Sequence, residues 1–209
     1  MSNIQETMRS ILEAESRAVL SIPYSDNYDR AVALIVDHVH RQGGKLVTSG
    51  MGKAGQIAMN IATTFSSTGI PAVNLHPSEA QHGDLGILQP KDVMMLISNS
   101  GKTQEIIDLV ELARVLYPQM PIIVITGHPE SALAAMSDVV LATGNAPEVC
   151  PLGLTPTTST TLMTVIGDIL VVNVMQKTGF TVDDYAKRHH GGYLGRMSRN
   201  SQTKKDSIH

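Results

Sequence analysis

Five short runs of nearly unbroken apolar residues, at 45–48, 72–75, 93–97, 122–126 and 139–142, set the fold class of this chain. They are rich in Val and Ile and lack the polar alternation of a half-solvated strand. That is the pattern of strands covered on both faces. Helical periodicity fills 53–67, 103–116 and a short 131–136 between them, and a long stretch at 157–177 follows the fifth run. Two further helices, 6–21 and 27–42, precede the first run, the second with Ala31, Ile35 and Val39 on one face. Ser25, Asp26 and Asn27 can cap that helix, and Gly43-Gly44 stops it. Alternating strands and helices predict a parallel sheet with right-handed crossovers. The expected fold is α/β, a three-layer α/β/α sandwich on a five-stranded parallel sheet. Ligands of such sheets bind past the carboxyl ends of the strands. The loops expected there are 49–52, 76–86, 98–103 and 126–129.

Composition bounds the function classes. The chain has 209 residues, enough for one domain with a full core, and is 42% hydrophobic and 17% charged, which fits a globular protein. A net charge of −3 argues against nucleic acid as a partner. The single cysteine, Cys150, excludes an internal disulfide and fits a reducing cytoplasm. No signal peptide is expected, because the first residues lack a basic and then apolar region. No membrane span is expected either, because Asp, Thr or Gly breaks the apolar stretches. Residues 1–195 read as one domain, followed by a polar, mobile tail at 196–209.

The loop Ser98-Asn99-Ser100-Gly101-Lys102-Thr103-Gln104-Glu105 joins the third strand to a helix start. Unpaired N–H groups and the helix dipole favour an anion there. Ser98, Ser100 and Thr103 add hydroxyl donors, and Gly101 lets the backbone approach closely. Together they predict a phosphate clamp beside the carboxylate of Glu105. In Ser49-Gly50-Met51-Gly52-Lys53, Ser49 would donate a hydrogen bond and Lys53 would bring an ammonium near a phosphate or sugar oxygen. The same residues also suit an ordinary tight turn. They fit neither a dinucleotide fingerprint nor a P-loop.

His76-Pro77-Ser78-Glu79-Ala80-Gln81-His82-Gly83-Asp84 gathers His and acids, but at no metal-ligand spacing. It reads as polar lining of a pocket or an interface, with no metal required. Glu148 follows the fifth strand at the same sheet end as the phosphate loop, and Cys150 reads as a small buried residue. His189-His190-Gly191-Gly192 is either an exposed turn or an imidazole delivered for proton transfer.

Taken together these motifs resemble the sugar isomerase (SIS) domain. The resemblance rests on Ser98-x-Ser100-Gly101-x-Thr103-x-Glu105, Ser49-Gly50-Met51-Gly52-Lys53 and His76-Pro77-x-Glu79-Ala80-x-His82-Gly83-Asp84-Leu85-Gly86. Cys150-Pro151, Leu154-x-Pro156-Thr157-x-Ser159-Thr160 and Gly167-Asp168 extend it, over about residues 5–195. The set is similar to the isomerase domain of arabinose-5-phosphate isomerases. That resemblance implies a flavodoxin-like sheet, a homotetramer and the catalytic set Lys53, Glu105, Glu148 and His189, with His82 near the sugar. His189 is aligned on Gly192-Tyr193-Leu194-Gly195; the motif around it departs from the family's His-Pro-x-Gly, so His190 is the alternative. Paired CBS domains, common in the family, are not expected within 209 residues.

The chemistry so implied interconverts D-ribulose 5-phosphate and D-arabinose 5-phosphate through an enediol(ate). It needs a base, an oxyanion partner and a proton donor, and neither a metal nor a redox cofactor. Ser49, Ser98, Ser100, Gly101 and Thr103 would hold the phosphate, with Gly50 also at the substrate. Glu105 or Glu148 would be the base, and Lys53 would stabilise the enediolate. His189 would open the furanose ring or move protons between oxygens. The product would feed synthesis of the acid sugar Kdo for capsule or lipopolysaccharide. Kdo or its cytidylyl-activated form would compete in the same pocket. The alternatives are a non-catalytic sugar-phosphate sensor and another SIS isomerase such as phosphoheptose isomerase. A DNA-binding helix-turn-helix has no room in the roughly 44 residues before the first strand.

Overall fold

A computed structural model describes residues 3–144 and 146–191. Its five parallel strands run in the order β2-β1-β3-β4-β5: β1 Leu46–Gly50, β2 Ala72–Asn74, β3 Val93–Ile97, β4 Ile122–Thr126 and β5 Val139–Ala142. The helices are α1 Asn3–Leu20, α2 Asn27–Leu34, α3 Gly52–Ser67, α4 Pro77–Ala80, α5 Gln104–Leu116, α6 Ala132–Ala135, α7 Thr158–Thr178 and α8 Val182–Arg188. The registers pair Leu46 with both Ala72 and Val93, so β1 lies between β2 and β3. The chain runs outward one way from β1 to β2, then crosses back to β3. That reversal opens a crevice between the carboxyl ends of β1 and β3.

Alternate strand residues build two cores. Leu46, Val93, Met95, Ile97, Ile123 and Ile125 face α2, α3 and α7, and pack with Ile35, Phe65, Ile166 and Leu170. Val47, Met94, Leu96, Ile122 and Val124 face α5 and α6, and pack with Ile106, Leu109 and Leu133. Because both strand faces are buried, no polar alternation appears in the strands, and the three-layer sandwich follows. At the opposite, amino end, two carboxylates pin the sheet. Asp92, which is buried, accepts from the Lys45 amide at 2.9 Å and the Lys45 ammonium at 2.6 Å. Asp138, at the surface, accepts from the Ile122 amide at 2.8 Å.

Helix α7 is long and apolar enough to cross a membrane by length and composition alone. In this fold it is the central helix of one layer, with Leu162, Met163, Ile166, Leu170 and Val174 buried. Gly167 sets its approach to α3, because a Cβ there would lie 2.6 Å from Ile61 Cγ1. Two expectations need correction. The helix predicted over 27–42 is α-helical only to Leu34 and continues as π-turns over Ile35–Arg41. The segment 76–86, expected as a loop, contains α4, started by Pro77 at its first position, and a 3-10 turn at Asp84–Ile87. The tail at 196–209 and Gly192-Tyr193-Leu194-Gly195 lie outside the described residues.

Candidate active site

A cavity of about 380 Å³ opens at the β1/β3 crevice. Its polar lining includes Lys53, Ser98, Asn99, Ser100, Thr103, His128, Glu148, Ser159 and Thr160, and its apolar lining includes Met51, Ile97, Leu154 and Met163. The volume suits a small phosphorylated sugar. A larger cavity, of about 830 Å³, lies at the other end of the sheet among Arg30, Arg41 and Arg114. Those guanidinium groups are already engaged. Arg114 meets Asp138 at 3.0 Å, Arg41 meets Asp37 at 3.7 Å, and Arg30 donates to the Asp138 carbonyl at 2.8 Å. The strand carboxyl ends carry the better candidate.

The phosphate loop is held by its own hydroxyls. Ser98 Oγ accepts from the Gly101 amide at 3.2 Å and shares a hydrogen bond of 3.0 Å with Thr103 Oγ1. Ser100 Oγ accepts from the Lys102 amide at 3.2 Å, which leaves its own proton to donate. Thr103 precedes α5 in an extended conformation, so the first amides of a 13-residue helix open beside the loop. Gly101 has φ +60°, and a Cβ there would collide with Ser131 Oγ, so the turn admits only glycine. The carbonyl of Gly101 also accepts from the Leu133 amide at 3.2 Å, which ties the loop to α6.

Glu148 lies on the loop between β5 and α7. Its Oε2 accepts from the Thr157 amide at 2.7 Å, the Thr157 hydroxyl at 2.8 Å and the Ser159 amide at 3.3 Å. The carboxylate therefore caps α7, whose N-cap residue, Thr157, makes no side-chain cap of its own. Such a contact is worth about 1 kcal/mol. Burial pushes the Glu148 pKa up, but hydrogen bonds from Ser159 and Thr157 outweigh it, so the group titrates below the ordinary glutamate range.

Two residues on, the Cys150 thiol is pulled down to about 7, first by the Thr155 hydroxyl and then by the Thr155 amide. Cys150 is half-exposed and accepts from the Leu154 amide at 3.3 Å and the Thr155 amide at 3.2 Å. The expectation of a small buried residue fails here, because the loop turns its amides onto the sulfur.

One cavity thus collects Lys53, Ser98, Ser100, Thr103 and Glu148. Ser49 does not act there through its hydroxyl. It is fully buried and donates to the Leu75 carbonyl at 2.6 Å, joining the ends of β1 and β2. Gly50, Gly101 and Glu105 are not among the lining residues of this cavity, although Gly50 ends β1 and Glu105 lies in the first turn of α5. His82 is exposed after α4. His189 ends α8, with its ring stacked at 3.6 Å on Tyr185 and Nδ1 at 2.9 Å from the Tyr185 carbonyl, and it does not line the cavity. His190 is exposed.

Sequence reasoning missed His128. Its Nδ1 lies 2.8 Å from the Asn99 carbonyl, which can only accept, so in the neutral ring Nδ1 carries the proton and Nε2 is the basic nitrogen. The only signal for it was its place in the loop after the fourth strand. Among the described residues, no three of His, Cys, Asp and Glu cluster as a metal site.

Comparison with known proteins agrees on the family. A model of the SIS domain matches residues 38–173. The chain is similar to the arabinose 5-phosphate isomerase KdsD of Shigella flexneri, with 51% identity over 153 residues, 73% of this chain and 46% of that protein. It is 42% identical to KdsD of Salmonella typhi over 195 residues, 93% of this chain and 58% of that protein. The chain therefore spans about half the length of the curated relatives it matches. Among solved structures, a candidate phosphosugar isomerase involved in capsule formation from Bacteroides fragilis is 65% identical. It superposes with a TM-score of 0.90, covering 91% of this chain and all (100%) of that one. The Escherichia coli CFT073 protein c3406, solved in complex with arabinose 5-phosphate, is 32% identical with a TM-score of 0.80, covering 90% of this chain and 100% of that one.

Proposed function

The chain belongs to the SIS domain family, and from that premise we propose that it is an aldose–ketose isomerase interconverting D-ribulose 5-phosphate and D-arabinose 5-phosphate. The observation that carries the reading is one cavity in which a phosphate-sized loop at the start of α5 faces a fixed carboxylate, Glu148, and an ammonium, Lys53. The KdsD relatives and the sugar-phosphate complex of c3406 support it. Ser98, Ser100 and Thr103, with the amides that follow Gly101, hold the phosphate and so fix the register of C1 and C2. A carboxylate removes the proton from C1 of the ketose, Lys53 stabilises the enediolate at O2, a proton passes from O1 to O2, and return of the carboxyl proton to C2 completes the aldose. No step calls for a metal.

Glu105, His82 and His189 fall outside the cavity of a single chain. The reading therefore includes a homotetramer in which a neighbouring copy completes each site. It also includes a cytoplasmic enzyme whose product enters Kdo synthesis for a capsule or lipopolysaccharide, with Kdo or CMP-Kdo competing for the clamp. Residues 1–195 form the catalytic domain in this reading.

A coupled assay over a panel of sugar phosphates tests the reaction. Turnover of ribulose 5-phosphate, with little on sedoheptulose 7-phosphate, is the expected result. Preference for the heptose would make the chain a phosphoheptose isomerase. Tight binding without turnover of any sugar would make it a sensor.

A further inference from the structure

Glu148 is separated by nine positions from the residue that holds it. Thr157 grips its Oε2 with both the amide, at 2.7 Å, and the hydroxyl, at 2.8 Å. The direction of the hydroxyl bond is fixed from the other side, because Thr157 Oγ1 accepts from the Val149 amide at 3.2 Å. The lone pair facing Val149 is thus occupied, and the single hydroxyl proton goes to the carboxylate. Thr157 also anchors the first turn of α7, where its carbonyl accepts from the Thr161 amide at 3.1 Å and the Thr160 hydroxyl at 2.7 Å. The carboxylate is therefore referenced to the long core helix, not to the loop that carries it.

We propose that Thr157 is a positioning residue for isomerisation: its hydroxyl, oriented by Val149, grips Oε2 of Glu148 and fixes the angle at which the carboxylate meets the substrate. The Thr157 amide, the Thr157 hydroxyl and the Ser159 amide all end on Oε2, and the Ser159 hydroxyl adds a further hold on the carboxylate. The proposal rests on the isomerase reading. Burial raises the Glu148 pKa, and the Ser159 hydroxyl, then the Thr157 amide and hydroxyl, more than offset it, so Thr157 shares the task of keeping the carboxylate ionised. The other titratable groups around it are Lys53 at the start of α3 and His128 after β4, which share the cavity, and Cys150 on the same loop. Glu15 of α1 lies one turn down α7, where it accepts from the Thr161 hydroxyl at 3.2 Å.

The test is Thr157→Val, with Thr157→Ala as a smaller change and Thr157→Ser as the conservative rescue. Two readouts are taken on the full chain: the pH profile of kcat/KM, and the Glu148 carboxyl titration by 13C NMR, assigned by its loss in Glu148→Gln. Without the hydroxyl, the Glu148 pKa rises toward the ordinary glutamate range, because one of the hydrogen bonds that favour the ionised form is gone. The acid limb of kcat/KM moves up in pH with it, because the carboxylate is then protonated sooner. In the same variants kcat falls by about 10-fold while KM changes less than about 2-fold, the mark of lost orientation and not of lost binding. Thr157→Ser restores all three. An unmoved Glu148 titration in Thr157→Val or Thr157→Ala overturns the proposal, as does a fall that Thr157→Ser shares. If the wild-type chain turns over no sugar phosphate, the isomerase reading fails, and the NMR titration still decides whether Thr157 sets the state of Glu148.

Discussion

Glu148→Gln is expected to lower kcat for ribulose 5-phosphate by about 10²-fold or more, the scale of a lost general base. The change keeps the side-chain shape, but an amide cannot take up the C1 proton. KM should stay within a few-fold, because the phosphate loop at Ser98, Ser100 and Thr103 does not touch Glu148 in the hydrogen bonds that hold either. Glu105→Gln is measured beside it, because either carboxylate can be the base. At least one of the two should lose the stated activity, and exchange of the substrate proton with solvent should vanish in that same variant. Near-wild-type kcat in both would remove the enediol mechanism.

The lowered pKa of Glu148 adds a pH signature. A base must be ionised, so where Glu148 is the base the wild-type acid limb should lie below the ordinary glutamate range. The stability that the α7 cap contributes has the same sign. It is fully present above the unfolded-state pKa and is lost as pH falls through the folded-state value.

The second large effect is recovery. Where Glu105→Gln is a variant that loses activity, its protein and inactive His189→Ala protein should regain activity when they are dissociated and reassembled together. In a random equal mixture about a quarter of composite sites draw an intact Glu105 from one chain and an intact His189 from another. The motive is geometric. Lys53 and Glu148 meet in one chain's cavity, whereas Glu105 lies on α5 outside it and His189 ends α8 stacked on its own Tyr185. Activity near a quarter of wild type in verified mixed oligomers supports a shared site. No recovery puts Glu105 and His189 of each site on the same chain.

The sheet was legible because its chemistry is local. Met94 and Met95, or Ile122 and Ile123, are apolar in succession and each faces a different helical layer, which only a strand between two layers requires. The phosphate loop was legible for a related reason. Its small residues lie between a buried strand and a helix start, and the hydrogen bonds that shape it span at most five residues within the loop itself.

What sequence reading missed depends on contacts between distant residues. Ser49 reads as a donor until Leu75, 26 positions on, is seen to take its proton. Cys150 reads as buried until the loop folds the Leu154 and Thr155 amides back onto its sulfur. His128 carries no motif, and only the Asn99 carbonyl, 29 positions away, fixes its tautomer. The π-turns at Ile35–Arg41 follow an unbroken helical pattern, and no cap or glycine before Gly43 marks the change. The state of Glu148 belongs to this class too, since an isolated loop carboxylate becomes a helix cap only once α7 is in place.

The most direct measurement of the central claim is conversion of ribulose 5-phosphate by the wild-type chain in deuterated water, followed by NMR of the sugar phosphates. Proton transfer through an enediol predicts arabinose 5-phosphate carrying solvent deuterium at C2, formed without added metal. Ribulose 5-phosphate left unchanged by protein that binds it would contradict the account.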